Sequence, residues 1–175
     1  MLSILNQYGI DINTLLEKTE LLKAPKGRCE TISINGAYAI VDYAHTPDAV
    51  EKVISTYNEL KKGKIITIIG CGGDRDPKKR PIMGEIATRL SDYVIITNDN
   101  PRTEDENKII SDILSGIKKD NYEVITDRRN AIKNGIKMLN ENDILLILGK
   151  GHENYQIIGK EKFHFDDVEE VLNYK

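Results

Sequence analysis

The stretch KIITIIGCGGDRDPKKR, residues 64–80, decides the fold class. Lys64 to Ile69 reads as a strand buried on both faces, because Ile65 to Ile69 is a short run of β-branched side chains without polar alternation. Gly70, Gly72, Gly73 and the triplet Asp74-Arg75-Asp76 follow it before a helical pattern begins at Arg80. The same alternation extends outward in both directions. Upstream lie a strand pattern over 37–42 and a helix over 47–60, opened by Thr46 as N-cap and Pro47 at the first helical position. Downstream come helices over 80–90, 105–118 and 128–139, interleaved with strands over 93–97, 123–126 and 143–148. A hairpin about Gly159 and a helix after Asp166 follow. Apolar strands each followed by a helix imply a mostly parallel sheet with helices on both faces. This is a Rossmann-like, doubly wound α/β fold with right-handed crossovers.

The start of the chain reads differently. Residues 1–22 carry a helical pattern broken near Gly9, with Asp11 or Asn13 able to cap its second part. Ala24-Pro25-Lys26-Gly27 is turn-forming, and 28–34 and 37–42 make a hairpin through Asn35-Gly36. The expected organisation is a helical appendage over 1–24 and one α/β domain over 25–175.

Composition narrows the function classes. Of 175 residues, 39% are hydrophobic and 30% charged, with a net charge of -3, as in ordinary soluble domains. Lysines and acids are interleaved, so no basic face suited to nucleic acid stands out. The longest apolar runs, 65–69 and 144–148, are too short to cross a bilayer, and residues 1–5 lack a basic leader. Cys29 and Cys71 are far apart and outside any CxxC spacing, which suggests neither a disulfide framework nor a zinc site and fits a reducing cytoplasm.

Open parallel sheets bind ligands beyond the carboxyl ends of their strands. The segments expected there, 42–48, 70–80, 98–104 and 149–156, are rich in Gly, Asp, Arg, Asn and His, whereas 61–63 and 140–142 at the other end are plain polar turns. Gly70 to Asp76 is neither a dinucleotide fingerprint nor a Walker loop. Arg75 there either offers a planar fork to a carboxylate or phosphate, or pairs with Asp74 or Asp76. In Asp99-Asn100-Pro101-Arg102, Pro101 fixes the direction of Arg102, as a carboxylate contact needs. The alternative is a capped turn, with Thr103 capping the next helix. Glu153, beyond Gly149-Lys150-Gly151-His152, either accepts from a ligand ammonium group or is a first-turn helix acid. His152 is expected to pack or to bond backbone, and His164 to lie on the surface. Asp42 and His45 are not explained by the helix start; an acid ending a strand suits a ribose diol.

Together the strings VDYAHTPDAVEKVI (41–54), IIGCGGDRDPKKRPIMGEIA (68–87), NDNPRTEDE (98–106) and LGKGHENYQII (148–158) resemble the C-terminal domain of the peptidoglycan Mur ligases, in particular the UDP-N-acetylmuramoyl-tripeptide synthetases. The likeness runs from about Pro25 onward, and the residues before it resemble the tail of that family's central ATPase domain. It implies part of an ATP-dependent amide-bond ligase of peptidoglycan biosynthesis. In the family, ATP phosphorylates a carboxylate of the UDP-MurNAc-dipeptide, and the incoming amine attacks the acyl phosphate as the C-terminal domain closes over the central one. By motif, Arg75, Asp99, Asn100, Arg102, Gly149 and Glu153 would hold the amino acid. Arg102, in the DNPR string, goes with meso-diaminopimelate rather than lysine. Arg28 would approach the ATP phosphates, and Asp42 the ribose, with His45 beside it.

There are departures. Cys29 replaces a bulkier apolar residue, and Glu106-Asn107 a common proline. The 175 residues contain no phosphate-binding loop, no central-domain magnesium ligands and no UDP-binding domain. The chain alone is therefore expected to be inactive, without catalytic residues or metal ligands of its own, ATP and Mg2+ being bound mainly by the missing central domain. The expected partners are meso-diaminopimelate, ATP and, through the missing domains, UDP-MurNAc-dipeptide, with neither nucleic acid nor membrane, in the cytoplasm. Two alternatives are a stand-alone amino-acid or nucleotide-binding regulatory module and the matching domain of a folylpolyglutamate or cyanophycin synthetase. The DNPR string argues against the latter, and the missing fingerprint against an oxidoreductase.

Overall fold

The computed structural model describes residues 7–9, 11–17 and 25–175. In the appendage it contains α1, Ile12–Glu17, where the Asp11 carboxylate accepts from the Thr14 N–H at 3.0 Å. Asp11 rather than Asn13 thus caps this helix, while residues 1–6, 10 and 18–22 of the helical pattern expected over 1–22 lie outside the described residues.

The α/β domain is built on a six-stranded sheet of order β1-β2-β6-β3-β4-β5. Its strands are β1 Glu30–Ile34, β2 Ala37–Asp42, β3 Ile65–Ile69, β4 Tyr93–Ile96, β5 Tyr122–Val124 and β6 Ile144–Leu148. β1 runs antiparallel to β2, as the Asn35-Gly36 turn requires, and every other pairing is parallel. The helices are α2 Pro47–Leu60, α3 Lys79–Leu90, α4 Glu106–Leu114, α5 Arg128–Lys137 and α6 Asp167–Asn173. A separate antiparallel hairpin pairs β7 Tyr155–Ile158 with β8 Glu161–His164.

The topology dictates which helix lies on which face. From β2 the chain advances through α2, α3 and α4 toward β5, then returns through α5 to insert β6 between β2 and β3. Right-handed crossovers that run in opposite directions must cover opposite faces. Val50 and Ile54 of α2, Met83 and Ala87 of α3 and Ile109 and Ile113 of α4 accordingly pack with Ile65, Ile69 and Leu146 in one core. Ala131 and Ile132 of α5 and Val171 of α6 pack with Ile66, Ile68 and Leu145 in the other. Alternate residues of one strand serve opposite cores, which is why β3 and β6 are buried at every position.

Several helix ends differ from the sequence expectation. α4 stops at Leu114 rather than residue 118, because a Cβ on Gly116 would stand 1.9 Å from the Pro81 carbonyl oxygen and the chain turns where it meets α3. α5 ends at Lys137, with the Met138 N–H shared among the carbonyls of Asn134, Gly135 and Ile136. Asp105, not Thr103, caps α4, accepting from the Asn107 N–H. Thr46 and Pro47 open α2 as expected. At the amino end of the sheet, Asp143 accepts from the Lys64 N–H at 2.7 Å and the Asn140 N–H at 2.8 Å, tying the starts of β3 and β6 together.

Candidate functional site

The loops after β2, β3, β4 and β6 converge on one cleft of about 250 Å³ beyond the carboxyl ends of the strands. This is the rim on which the sequence concentrates its Gly, Asp, Arg, Asn and His residues, at the place where β6 returns between β2 and β3.

Two of these loops touch backbone to backbone. A Cβ on Gly73 would stand 1.9 Å from the Pro101 carbonyl oxygen, so only glycine fits there. The Gly73 N–H donates to the Asn100 carbonyl at 2.9 Å, and the Arg102 Nη1 donates to the Gly73 carbonyl at 2.7 Å. Arg102 itself sits at φ 53°, in the left-handed region. That strain is sustained by two backbone bonds to the β7–β8 hairpin: its N–H donates to Ile157 at 3.0 Å, and its carbonyl accepts from Gly159 at 2.7 Å. Thr103, freed from capping, donates its hydroxyl to Asp74 at 2.8 Å. Arg80 lies beneath this contact, 1% exposed, with two bonds to Glu104, one to Asp112 and one to the Gly72 carbonyl.

The loop after β6 is equally confined. Gly149, at φ 117°, passes so close to Asp99 that a Cβ would stand 2.6 Å from its Oδ2. Glu153 is followed by β7 and not by a helix, so the first-turn helix acid reading fails. Its Oε2 accepts from the Asn100 side-chain amide at 2.8 Å. Asp99 is only 8% exposed, yet its carboxylate meets no hydrogen-bond donor among the described residues. Arg75 is exposed at the mouth, with Nη1 on the Asp74 carbonyl at 3.0 Å rather than on either neighbouring carboxylate. Cys71 also lines the cleft, but burial pushes its thiol up to about 12, so it is no nucleophile at neutral pH.

The second group of expected residues gathers around Tyr43. The Arg28 guanidinium lies over the Tyr43 ring at 4.8 Å, and the His45 and His152 rings approach it to 4.5 and 4.9 Å. His45 Nδ1 is 2.8 Å from the Tyr43 carbonyl oxygen. Asp42 is buried under them, with Oδ1 accepting from the Ala44 N–H and Oδ2 from the Cys29 N–H, both at 2.8 Å. It holds the hairpin to the helix start; Oδ2 also meets the Cys29 thiol at 3.5 Å, while Oδ1 keeps a second lone pair. Among the described residues no group of three His, Cys, Asp or Glu side chains could hold a metal ion.

Residues 27–151 match the profile of the family described as Mur ligase, glutamate ligase domain. The chain belongs to the Mur ligase family. Similar curated Mur ligases include the UDP-N-acetylmuramoyl-L-alanyl-D-glutamate–2,6-diaminopimelate ligase of Clostridium botulinum, 49% identical over 166 residues and 93% of this chain. The corresponding ligase of Clostridioides difficile is 54% identical over 164 residues and 92% of the chain. In each case the aligned region is 34% of the relative, so the chain spans about a third of the curated relatives it matches. A solved structure of a ligase with the same name superposes with a TM-score of 0.84 at 40% identity, over 99% of this chain and 36% of that one.

In this Mur ligase domain Arg75, Asp99, Asn100, Arg102, Gly149 and Glu153, singled out by motif, all line the one cleft, together with His45. Arg28 and Asp42 are not part of its lining and stand at the Tyr43 edge instead. Sequence reasoning passed over Tyr43 and the buried cations Arg80, Arg128 and Lys150. Arg128 is fully enclosed, with two bonds of 2.8 Å to Asp167 and further bonds to the Asn98 and Leu148 carbonyls, so it braces the ends of β4 and β6. Its place immediately after the Asp127 N-cap reads, in sequence, as a solvated helix start.

Proposed function

We propose that this domain binds meso-diaminopimelate on behalf of an ATP-dependent ligase, which joins it to UDP-MurNAc-L-Ala-D-Glu through an acyl phosphate. The observation that carries the reading is the charge content of the cleft. Its lining carries three carboxylates, Asp76, Asp99 and Glu153, three guanidinium groups, Arg75, Arg80 and Arg102, and the Lys79 ammonium. Arg80 is engaged by Glu104 and Asp112, and Asp76 accepts from the Lys78 N–H. A diamino dicarboxylic acid carries two ammonium and two carboxylate groups and would pair with the four that the motifs single out: Asp99, whose carboxylate meets no donor among the described residues, Glu153, Arg75 and Arg102. Asp99 and Glu153 would take ammonium groups, and Arg75 and Arg102 carboxylates, within loops fixed by Asn100 and Gly149. The names of the relatives support the same substrate.

The division of labour follows from the chain's contents. The amino acid is delivered by this domain, and its uncharged amine attacks the acyl carbon while phosphate leaves. Arg28, Asp42 and His45, grouped about Tyr43, would face the nucleotide. Magnesium belongs to the phosphate-binding domain of the complete ligase, where it would neutralise charge on the transferring phosphoryl group. A UDP-linked precursor as co-substrate places this reaction in the cytoplasm, and no described helix is long and apolar enough to cross a membrane.

The test is calorimetric titration of the chain with meso-diaminopimelate and with L-lysine. Lysine lacks the distal carboxylate and would leave Arg102 unpaired, so discrimination of up to about 10⁴-fold is available to such a site. Heat from the first ligand and none from the second is expected, with that preference abolished in Arg102→Ala. Retained meso-diaminopimelate affinity in that variant would overturn the role of Arg102.

A further inference from the structure

Three side chains among the described residues bury a full positive charge at under 2% exposure: Arg80, Arg128 and Lys150. The two arginines meet carboxylates at 2.8 to 2.9 Å. Lys150 is paired more loosely. Its ammonium lies 3.5 Å from Glu153 Oε2, and its hydrogen bond, at 3.1 Å, goes to the Asn100 side-chain oxygen. Nor does the turn need a lysine, because Gly149 and Gly151 supply its positive φ angles. A buried ammonium with only one long ion pair is costly to maintain, so its surroundings identify its task.

Those surroundings are Asp99 from the β4–α4 loop, Arg128 from α5, Asp167 from α6, Glu153 from its own loop and the Tyr155 ring at 5.7 Å. Burial lowers the Lys150 pKa; Asp99, Asp167 and Glu153 oppose that shift, and Arg128 adds to it. The Asn100 carboxamide is 1% exposed. Its oxygen receives two donors, the Ile157 N–H at 2.9 Å and the Lys150 ammonium. A flipped amide would set its NH2 against both donors, so the amide nitrogen must point the other way, onto Glu153 Oε2 at 2.8 Å. Both contacts on Glu153, a residue of the cleft lining, therefore fall on Oε2, and neither takes Oε1.

We propose that Lys150 is a positioning residue for the amino-acid site: its ammonium locks the Asn100 carboxamide and so holds Glu153 by one oxygen, with the other facing the ligand's ammonium group. Lys150 does not itself line the cleft. The inference rests on the reading of that cleft as an amino-acid site.

The test uses the 175-residue chain and two readouts. The first, free of ligand, is the nuclear magnetic resonance signal of the Asn100 side-chain NH2 pair. The second is the meso-diaminopimelate dissociation constant. Lys150→Met removes the charge at similar length, and Lys150→Gln serves if the first variant does not fold. The NH2 pair is expected to move from its wild-type position. The dissociation constant is expected to rise about tenfold or more, the scale of one hydrogen bond to a charged group. Because Lys150 acts through Asn100, the double variant with Asn100→Ala should bind no more weakly than Asn100→Ala alone. An unmoved NH2 pair in a folded variant, or additive losses, overturns the proposal; so does a lower unfolding midpoint with signal and affinity unchanged. Should the wild type take up no meso-diaminopimelate while the NH2 pair moves in the variants, the brace stands and the substrate reading falls. Should the wild type bind and Lys150→Met bind equally well, the brace falls and the substrate reading stands.

Discussion

A carboxylate held by backbone amides contributes to stability only while it is ionised, and Asp143 is such a group. Burial alone would push its carboxyl up, but the N–H groups of Lys64 and Asn140 outweigh that effect and hold it below the ordinary carboxylate range. Because the folded value is the lower one, its contribution is complete above the unfolded value of about 4 and drains away as pH falls through the folded value. Asp143→Asn should destabilise the chain by about 1–3 kcal/mol at pH 7, the cost of leaving a part-buried donor unsatisfied. The gap from wild type should narrow below about pH 4. Urea midpoints at neutral and acid pH measure both; a gap independent of pH would show that the charge is irrelevant. Residues of this kind are hard to read from sequence. Asp143 stands in a run, Asn140-Glu141-Asn142-Asp143, that looks like any polar turn, and its two amide partners are supplied by the fold. Lys150, Arg80 and Arg128 were opaque for the same reason, since burial of a charge is settled by what packs over it. Arg75, Arg102 and Glu153 were legible because each belongs to a glycine- or proline-marked loop at a strand end.

Among elements, the contact between α3 and α4 is set by missing side chains. A Cβ on Gly84 would stand 2.5 Å from the Ile113 carbonyl oxygen, and one on Gly116 would stand 1.9 Å from that of Pro81. Backbone atoms cannot rotate away, so the helices would have to separate. Gly84→Ala gains about 1 kcal/mol of helix propensity, but overpacking at a fixed contact costs about 1–3 kcal/mol. The cost should prevail because the obstruction is a carbonyl. Gly135 in α5 is the internal comparison, since a Cβ there meets only the ends of the Leu145 and Ile68 side chains, at 2.9 and 3.1 Å. Those ends can shift, so Gly135→Ala should be close to neutral. Chemical denaturation of both variants checks the ordering, and a Gly84→Ala chain as stable as wild type would mean the helices are not held at this distance. The strands were readable to within a residue or two because β-branched runs have few alternatives. The helix ends were not, since α4 stops where Gly116 meets Pro81, a neighbour 35 positions earlier in sequence.

At the scale of the molecule, the sheet delivers four loops to one rim, and the function proposed above gives the rim's charged groups the task of recognising a charged ligand, not of transferring phosphate. Phosphoryl transfer needs donors cradling the terminal phosphates and a cation bridging them. The chain contains no Gly-x4-Gly-Lys-Ser/Thr sequence. Among the described residues, no three acidic, histidine or cysteine side chains are grouped as a metal site would require. Arg28 is exposed and stacked on Tyr43, and in the proposed function it would approach a nucleotide held by another domain, but a lone guanidinium does not orient an attack in line. ATP and magnesium added to this chain, with meso-diaminopimelate present, should therefore release no ADP above the rate in buffer, as read by a coupled assay. Adding the phosphate-binding part of a matching ligase should restore turnover only if the two parts associate. ADP release by the chain alone would mean that the rim carries phosphoryl-transfer chemistry, and the assignment of Arg75, Asp99, Arg102 and Glu153 to amino-acid recognition would have to be abandoned.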